Sequence, residues 1–475
     1  MKSGFSGIIT AVTGVSVRAA NQVVIFGVTL VAAHFLAPTD FGVFAIASAS
    51  IALIRTLMYT GAFEYLLKAP PGEEAPSECL VINVLLSVML SVVLLALVPA
   101  SAVLFGTPAV GHMLLLMAPS NIMSAVAAWQ ESQVLRAKRV HAYYVITAIS
   151  EVIAGAGAVV LLIGHFGLMA LVGQLYLRCA VLLVAYRLLQ RPSWSPSIDA
   201  EKLLEIFKWS SSRYGSTMVS FMSSYGADFF LGALLSPAAT GVYRASNRVV
   251  TAVSDVFSHP TQILGATIFS RYAAQRETPE AIWPRIVGAS AFLGWSALAG
   301  LAAIAERAVP VILGAQWTGT GLVIALLCAA RALSLIDAVT VPLLVAFDKS
   351  RSIFHIQFAT AIASVMLLCV VARYGVAATA VSAIIISAAS TISYCTLSLR
   401  VFQGSRTPLR NIIPISVLPA VTTFLAARAC LFAIPANVGA LPATGFAIAA
   451  GIAAWLAVVA VLRHSAMDAL HALNA

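Results

Sequence analysis

The chain has 475 residues and a net charge of +10, yet only 10% of its residues are charged, 60% are hydrophobic, and its mean hydropathy is +0.96. That composition excludes a soluble globular domain, because nearly the whole length falls into apolar runs able to cross about 30 Å of hydrocarbon. It also excludes a nucleic-acid partner: there is no basic tract, and most of the cations sit at the ends of apolar runs, where they set topology.

No cleavable leader is expected, since Arg18 interrupts the first apolar run and no cleavage site follows. About fourteen spans are predicted. They cover residues 9–36, 42–67, 79–104, 110–135, 142–164, 167–189, 213–235, 241–269, 286–309, 318–347, 353–372, 376–399, 411–433 and 443–462. With the N-terminus in the cytoplasm, the inside loops collect Lys68, Arg136, Lys138, Arg139, Arg187, Arg191, Lys202, Arg271, Arg276, Lys349, Arg351, Arg400 and Arg463, among others. The outside loops keep only Arg307 and Arg373. This asymmetry predicts both termini inside. The six cysteines (Cys79, Cys179, Cys328, Cys369, Cys395, Cys430) fall in or beside spans without a CxxC spacing, so they read as small apolar residues.

The longest connection, about residues 190–212, follows span six. Within it Leu203, Ile206 and Phe207 share one helical face and Glu201, Glu205 and Lys208 the other, which suits a helix lying in the membrane interface. Trp194, Trp209, Trp283 and Trp317 fall at span ends, where interfacial aromatics are expected. The turn Leu36-Ala-Pro38-Thr-Asp-Phe-Gly42-Val-Phe44 recurs as Leu235-Ser-Pro237-Ala-Ala-Thr-Gly241-Val-Tyr243. His165-Phe-Gly-Leu-Met-Ala170 pairs with Arg373-Tyr-Gly-Val-Ala-Ala378 at a similar offset, as does Phe105-Gly106 with Leu313-Gly314. A repeat of six spans keeps the same orientation in both halves, so the halves should be related by a pseudo-two-fold axis along the membrane normal.

The first span leading into Leu36-Ala-Pro38-Thr-Asp40-Phe41-Gly42 resembles the polysaccharide transporter (O-antigen and lipid-linked oligosaccharide flippase) family. So do the block from Asp228 to Arg244 and the turn Leu313-Gly-Ala-Gln-Trp317. That family belongs to the multidrug/oligosaccharidyl-lipid/polysaccharide exporter superfamily. The resemblance implies an all-α polytopic membrane protein with two six-helix bundles around a central cavity, plus two extra C-terminal helices. The expected organisation is a first bundle over 1–190, a cytoplasmic amphipathic connector over 191–212, a second bundle over 213–400, and two further spans with a cytoplasmic tail over 401–475.

Charges inside the spans are the strongest functional signal. An arginine at the centre of a membrane helix costs about 2.5–3.5 kcal/mol, and so marks a watery path, a partner or an anionic ligand. In span eight Arg244, Arg248, Asp255 and His259 recur at intervals of four, seven and four along one stripe, just before Pro260. Arg244 and Arg248 are candidate diphosphate ligands, because the planar guanidinium binds phosphate oxygens bidentately. The alternatives are a pair between Arg248 and Asp228 and snorkelling of Arg244 to the outer surface. Arg18 and Arg55 are the corresponding candidates in spans one and two, which line the cavity in the resembled superfamily. Asp228 and Asp337 are candidates to carry a proton or coupling cation, or to neutralise an arginine, with Arg331 a local option for Asp337; Asp255 and His259 are further coupling or structural-pair candidates. Arg178 and Glu151 are expected to pair within the first bundle, and Arg428 is not placed in the cavity.

The resemblance implies a flippase moving a polyprenyl-diphosphate-linked oligosaccharide from the cytoplasmic to the outer leaflet by alternating access. The pathway would be that of exopolysaccharide, capsule or O-antigen (lipopolysaccharide) export across a bacterial inner membrane. Expected partners are the lipid-linked oligosaccharide, membrane lipids and the polysaccharide polymerase and export machinery. No catalytic residue, cofactor or metal site is predicted: the sequence has no phosphate-binding glycine loop and no zinc-ligand spacing. A cation-coupled multidrug antiporter is the alternative within the superfamily; more arginine than aspartate in the expected cavity argues for an anionic substrate instead. A membrane glycan polymerase or ligase is the alternative of another class, and the short outer loops argue against it.

Overall fold

In the computed structural model of the chain, the described residues are 2–68, 76–189, 199–402, 409–435 and 438–461. Their secondary structure is helical, as a bilayer demands: with no water to bond exposed amides, each segment must satisfy its own backbone. The chain packs as two compact units, Met1–Gly241 and Val242–Ala475.

The first unit contains α1 (Lys2–Phe35), α2 (Pro38–Met58), α3 (Ala62–Lys68), α4 (Pro76–Ala96), α5 (Ser101–Phe105), α6 (Ala109–Met117) and α7 (Ser120–Arg136). It continues with α8 (Val140–Ile163), α9 (Leu168–Leu189), α10 (Ala200–Leu234) and the start of α11 (Pro237–Gln275). Helix α7 is its hub, packing on α2, α3, α4 and α9, while α1 lies on α8 and α8 on α9. Three passes predicted as single helices are broken. The second pass stops at Met58 and resumes at Ala62, across a left-handed Gly61 (φ 59°). The third stops at Ala96 and adds the short α5 from Ser101 to Phe105. The fourth divides into α6 and α7 at Ala118-Pro119, where proline lacks the N–H that would continue the ladder. The amphipathic segment after Asp199 is not a separate element: α10 runs unbroken from Ala200 to Leu234, with Asp199 as its N-cap accepting from the Glu201 and Lys202 amides.

The second unit holds the remainder of α11, then α12 (Ile282–Ile312), α13 (Gly321–Ala346), α14 (Ser350–Val371), α15 (Val376–Val401), α16 (Leu409–Ala433) and α17 (Ala440–Val461). Helix α13 packs between α12 and α15; the two C-terminal helices fold back onto α12. Small residues make that last contact close: Ala303, Ala308, Ala427, Ala443 and Ala447 share one buried cluster, and small side chains let membrane helices approach. Trp283 and Trp317 are fully buried, not interfacial, and Trp283 Nε1 donates to the Thr340 hydroxyl at 3.3 Å. Their span-end position is as expected, but helix packing closes over them.

Counting each broken pass once, the described residues make fourteen helical passes. Eleven are long and apolar enough to cross a membrane. The other three are α1, whose apolar stretch is Ala20–Phe35, and the more polar α10 and α11. Large apolar side chains such as Val103, Leu188 and Phe432 lie almost fully exposed on the protein surface, an arrangement that only a hydrocarbon solvent favours.

The repeated Pro-x-x-x-Gly turn has a structural role in the first unit. A Cβ placed on Gly42 would land on the carbonyl oxygen of Pro237, and one on Gly241 would land on the carbonyl oxygen of Pro38. The N-terminal turns of α2 and α11 therefore cross backbone to backbone, each glycine seated on the other motif's proline.

Candidate functional site

In the second unit, α11 carries the polar stripe. Arg244 and Arg248 are half-buried and each is engaged by a partner. Asp255 Oδ2 lies 3.7 Å from His259 Nε2, one turn on, and its Oδ1 accepts from the Ser258 hydroxyl at 3.4 Å. Pro260 sits inside the unbroken helix. Arg331 on α13 donates from Nη2 to Asn247 Oδ1 of α11 at 3.2 Å. The local pairing of Arg331 with Asp337 is therefore not formed: Asp337 Oδ2 instead accepts from Ser390 of α15 at 2.8 Å. The physical reason is rotational. Positions 331 and 337 are six residues apart, so their side chains leave α13 about 120° from one another, on different faces.

The first unit gathers a second polar cluster, in the bundle interior. Arg178 of α9 binds Glu151 of α8 at 2.7 Å, the expected pair. Arg55 of α2 directs Nη2 at the Cys179 thiol, 3.5 Å away, and that thiol also lies 3.4 Å from the Ser124 hydroxyl of α7. Asp228 of α10 is 1% exposed and engaged by a partner; its backbone carbonyl accepts from Thr240. Arg18 lies on α1, and its side chain is outside the described set. Glu131 of α7 and Tyr59, the C-cap of α2, are additions that sequence reasoning missed: the Tyr59 hydroxyl donates to Glu131 Oε2 at 3.1 Å. The available signal was a carboxylate inside predicted span four. Arg428 pairs with Glu306 at 3.0 Å on an exposed face of the second unit.

An apolar cavity of about 380 Å³ lies among α12, α16 and α17, walled by Leu293, Gly300, Thr423, Gly451, Ile452 and Trp455. No charged side chain lines it, so it has no means of recognising an anion. Among the described residues no group of three or more His, Cys, Asp or Glu side chains could hold a metal ion. The chemistry that the chain does offer is guanidinium recognition. Each guanidinium fork can hold two oxygens of an oxyanion at once.

Comparison with known proteins gives the class. The polysaccharide biosynthesis protein family matches residues 31–322, and the chain belongs to it. The chain is 22% identical over 408 residues to the succinoglycan biosynthesis transport protein ExoT of Rhizobium meliloti (strain 1021), an alignment covering 84% of this chain and 81% of that one. Among solved structures it is similar to the lipid II flippase MurJ in an inward closed conformation, with a TM-score of 0.80 and 12% identity, covering 97% of this chain and 100% of that one. It is also similar to an inward-facing multidrug resistance MATE family transporter of the MOP superfamily, with a TM-score of 0.60 and 14% identity over 84% of this chain and 99% of that one. At such identities the likeness is one of fold. The resemblance read from the sequence and the all-α polytopic architecture are both borne out.

Proposed function

We propose that this protein is a flippase that carries a polyprenyl-diphosphate-linked oligosaccharide from the cytoplasmic to the outer leaflet of a bacterial inner membrane by alternating access. The transported unit feeds cell-surface polysaccharide, and the polymerase and export machinery receive it. The chain acts as a transporter, not an enzyme, with both termini in the cytoplasm. The observation that carries this reading is the pair Arg244 and Arg248, half-buried one turn apart on α11, in a member of the polysaccharide biosynthesis protein family. A diphosphate offers the oxygens such a pair can hold, and within the first unit Arg55 of α2 is a separate guanidinium inside a membrane pass. The names of the relatives support the reading: one is a succinoglycan biosynthesis transport protein and another a lipid II flippase.

The test begins with deletion of the gene and identification of the lipid-linked glycan that accumulates on the cytoplasmic leaflet. Complementation with Arg244→Gln or Arg248→Gln should then lower export about tenfold or more at normal membrane abundance, the equivalent of one charge-assisted hydrogen bond. Arg→Lys should restore only part, because lysine keeps the charge and loses the fork. Full export by both glutamine variants, or accumulation of no lipid-linked glycan in the deletion strain, overturns the reading.

A further inference from the structure

The polar groups inside the first unit converge on one carboxylate. Ser124 and Glu131 stand two turns apart on one face of α7. Glu131 is 6% exposed, five residues before the end of a membrane pass. Its described hydrogen bond comes from a neutral phenol, Tyr59, at 3.1 Å. A carboxylate has about four lone-pair sites, and burying one that is so thinly satisfied costs several kcal/mol. Arginines of the same unit are committed elsewhere: Arg178 to Glu151, Arg213 to Glu64, and Arg55 towards the Cys179 thiol. Buried polar atoms of the same bundle have no protein partner, among them Gln130 Oε1, Gln133 Nε2, Asn83 Oδ1, Ser87 Oγ and Asn121 Oδ1. Each side chain is at least nine-tenths buried. Such groups ask for internal water.

The same carboxylate is bonded to the residue at a break in a helix. Tyr59 caps α2 where the second pass stops, and Gly61 two residues on is left-handed. Beyond the break the Ala62 amide donates to the Tyr214 hydroxyl of α10 at 3.4 Å. Tyr59 itself is 36% exposed, so the Glu131–Tyr59 contact reaches from the buried interior to the bundle surface.

We propose that Glu131 takes up and releases a proton during the transport cycle, and that its charge state sets, through Tyr59, how the second pass bends at Gly61. Ionised, Glu131 accepts the Tyr59 hydroxyl and pins the break to α7. Protonated by water entering past Tyr59, it loses its charge and becomes a donor itself, so the pin weakens; release of the proton to water restores it. The helices packed against α7 carry Arg55 and Tyr59 (α2), Arg178, Cys179, Tyr186 and Arg187 (α9), and His141, Tyr143, Tyr144 and Glu151 (α8) as titratable or charged groups toward this part of the bundle. On α3, Glu64 is held by Arg213 and Lys68 lies over Trp209, while Glu78 of α4 accepts from the Asp199 amide. Arg136 closes α7 itself.

The test uses the full-length protein in lipid nanodiscs. Infrared difference spectra across a pH series should show a carboxylic-acid carbonyl band that is absent in Glu131→Gln and titrates with a displaced midpoint in Tyr59→Phe. An unchanged band in Glu131→Gln, or an unmoved midpoint in Tyr59→Phe, overturns the proposal. In the deletion strain Glu131→Gln, which keeps the shape and hydrogen-bonding capacity but cannot titrate, should lose export at least tenfold at normal abundance; wild-type export by this variant also overturns it. If Glu131→Gln fails to accumulate, the Tyr59→Phe midpoint decides. The infrared measurement needs no transported substrate, so its failure is distinguishable from failure of the flippase reading.

Discussion

Arg178 and Glu151 show how a buried charge is kept in a bundle. Glu151 is 8% exposed and Arg178 36% exposed at the side chain, so the carboxylate depends on its partner more than the arginine does. Arg178→Ala strands that carboxylate and should cost about 2–3 kcal/mol, below the range for a fully buried pair because the arginine is partly exposed. Replacing both partners with apolar residues should recover most of the loss. Thermal unfolding of the purified single and double variants measures this, and additive losses would contradict the pairing. Gly42 and Gly241 are bound by a different constraint, backbone contact. Gly42→Val drives a side chain into the Pro237 carbonyl, and neither neighbouring backbone can give way as a flexible side chain would. A loss of about 3 kcal/mol is expected, at the upper end for overpacking, seen as a lowered Tm and reduced membrane abundance.

At the scale of the element, the broken second pass is the least regular part of the first bundle. Gly61 adopts φ 59°, and a Cβ there would meet the Tyr214 ring at 2.5 Å. Gly61→Ala combines a left-handed backbone cost of about 1–2 kcal/mol with that collision. The variant should unfold at lower temperature, and Tyr214→Ala should relieve the collision part of the loss but not the backbone part. A thermal-shift series on Gly61→Ala, Tyr214→Ala and the double variant separates the two contributions. Helices α10 and α11 illustrate a second point: a pass need not be uniformly apolar when its polar side chains find partners, as Asn247 of α11 does with Arg331 of α13.

For the whole molecule, the distribution of charge makes a testable prediction of orientation. Lys68, Lys138 and Arg276 all close helices at ends that the basic-residue asymmetry assigns to the cytoplasm. Reporter fusions after each of these positions should give an inside signal, and a fusion in the turn at Ser236 an outside one. One reversed signal among the four breaks the topology. The exposed apolar belt also predicts that extraction without detergent or lipid replacement leads to aggregation, since residues such as Phe432 and Val461 have no protein cover.

Most of the spans and their order were legible in the sequence because a membrane helix satisfies its own backbone, so its hydropathy is a local property. The Arg178–Glu151 pair was legible too, since consecutive passes joined by a short turn are neighbours. The repeat turns were visible as a motif, but their seating on one another depends on chain segments about 200 residues apart in sequence. The contacts that define the interior were hidden for the same reason. Tyr59 and Glu131 are 72 residues apart and Arg55 and Cys179 are 124 apart. Whether two such groups meet depends on the rotation of each helix about its own axis, and that rotation is chosen by the packing of all its neighbours together. Hydropathy therefore determined that this chain spans a membrane many times; only tertiary packing decided which of its buried charges face one another.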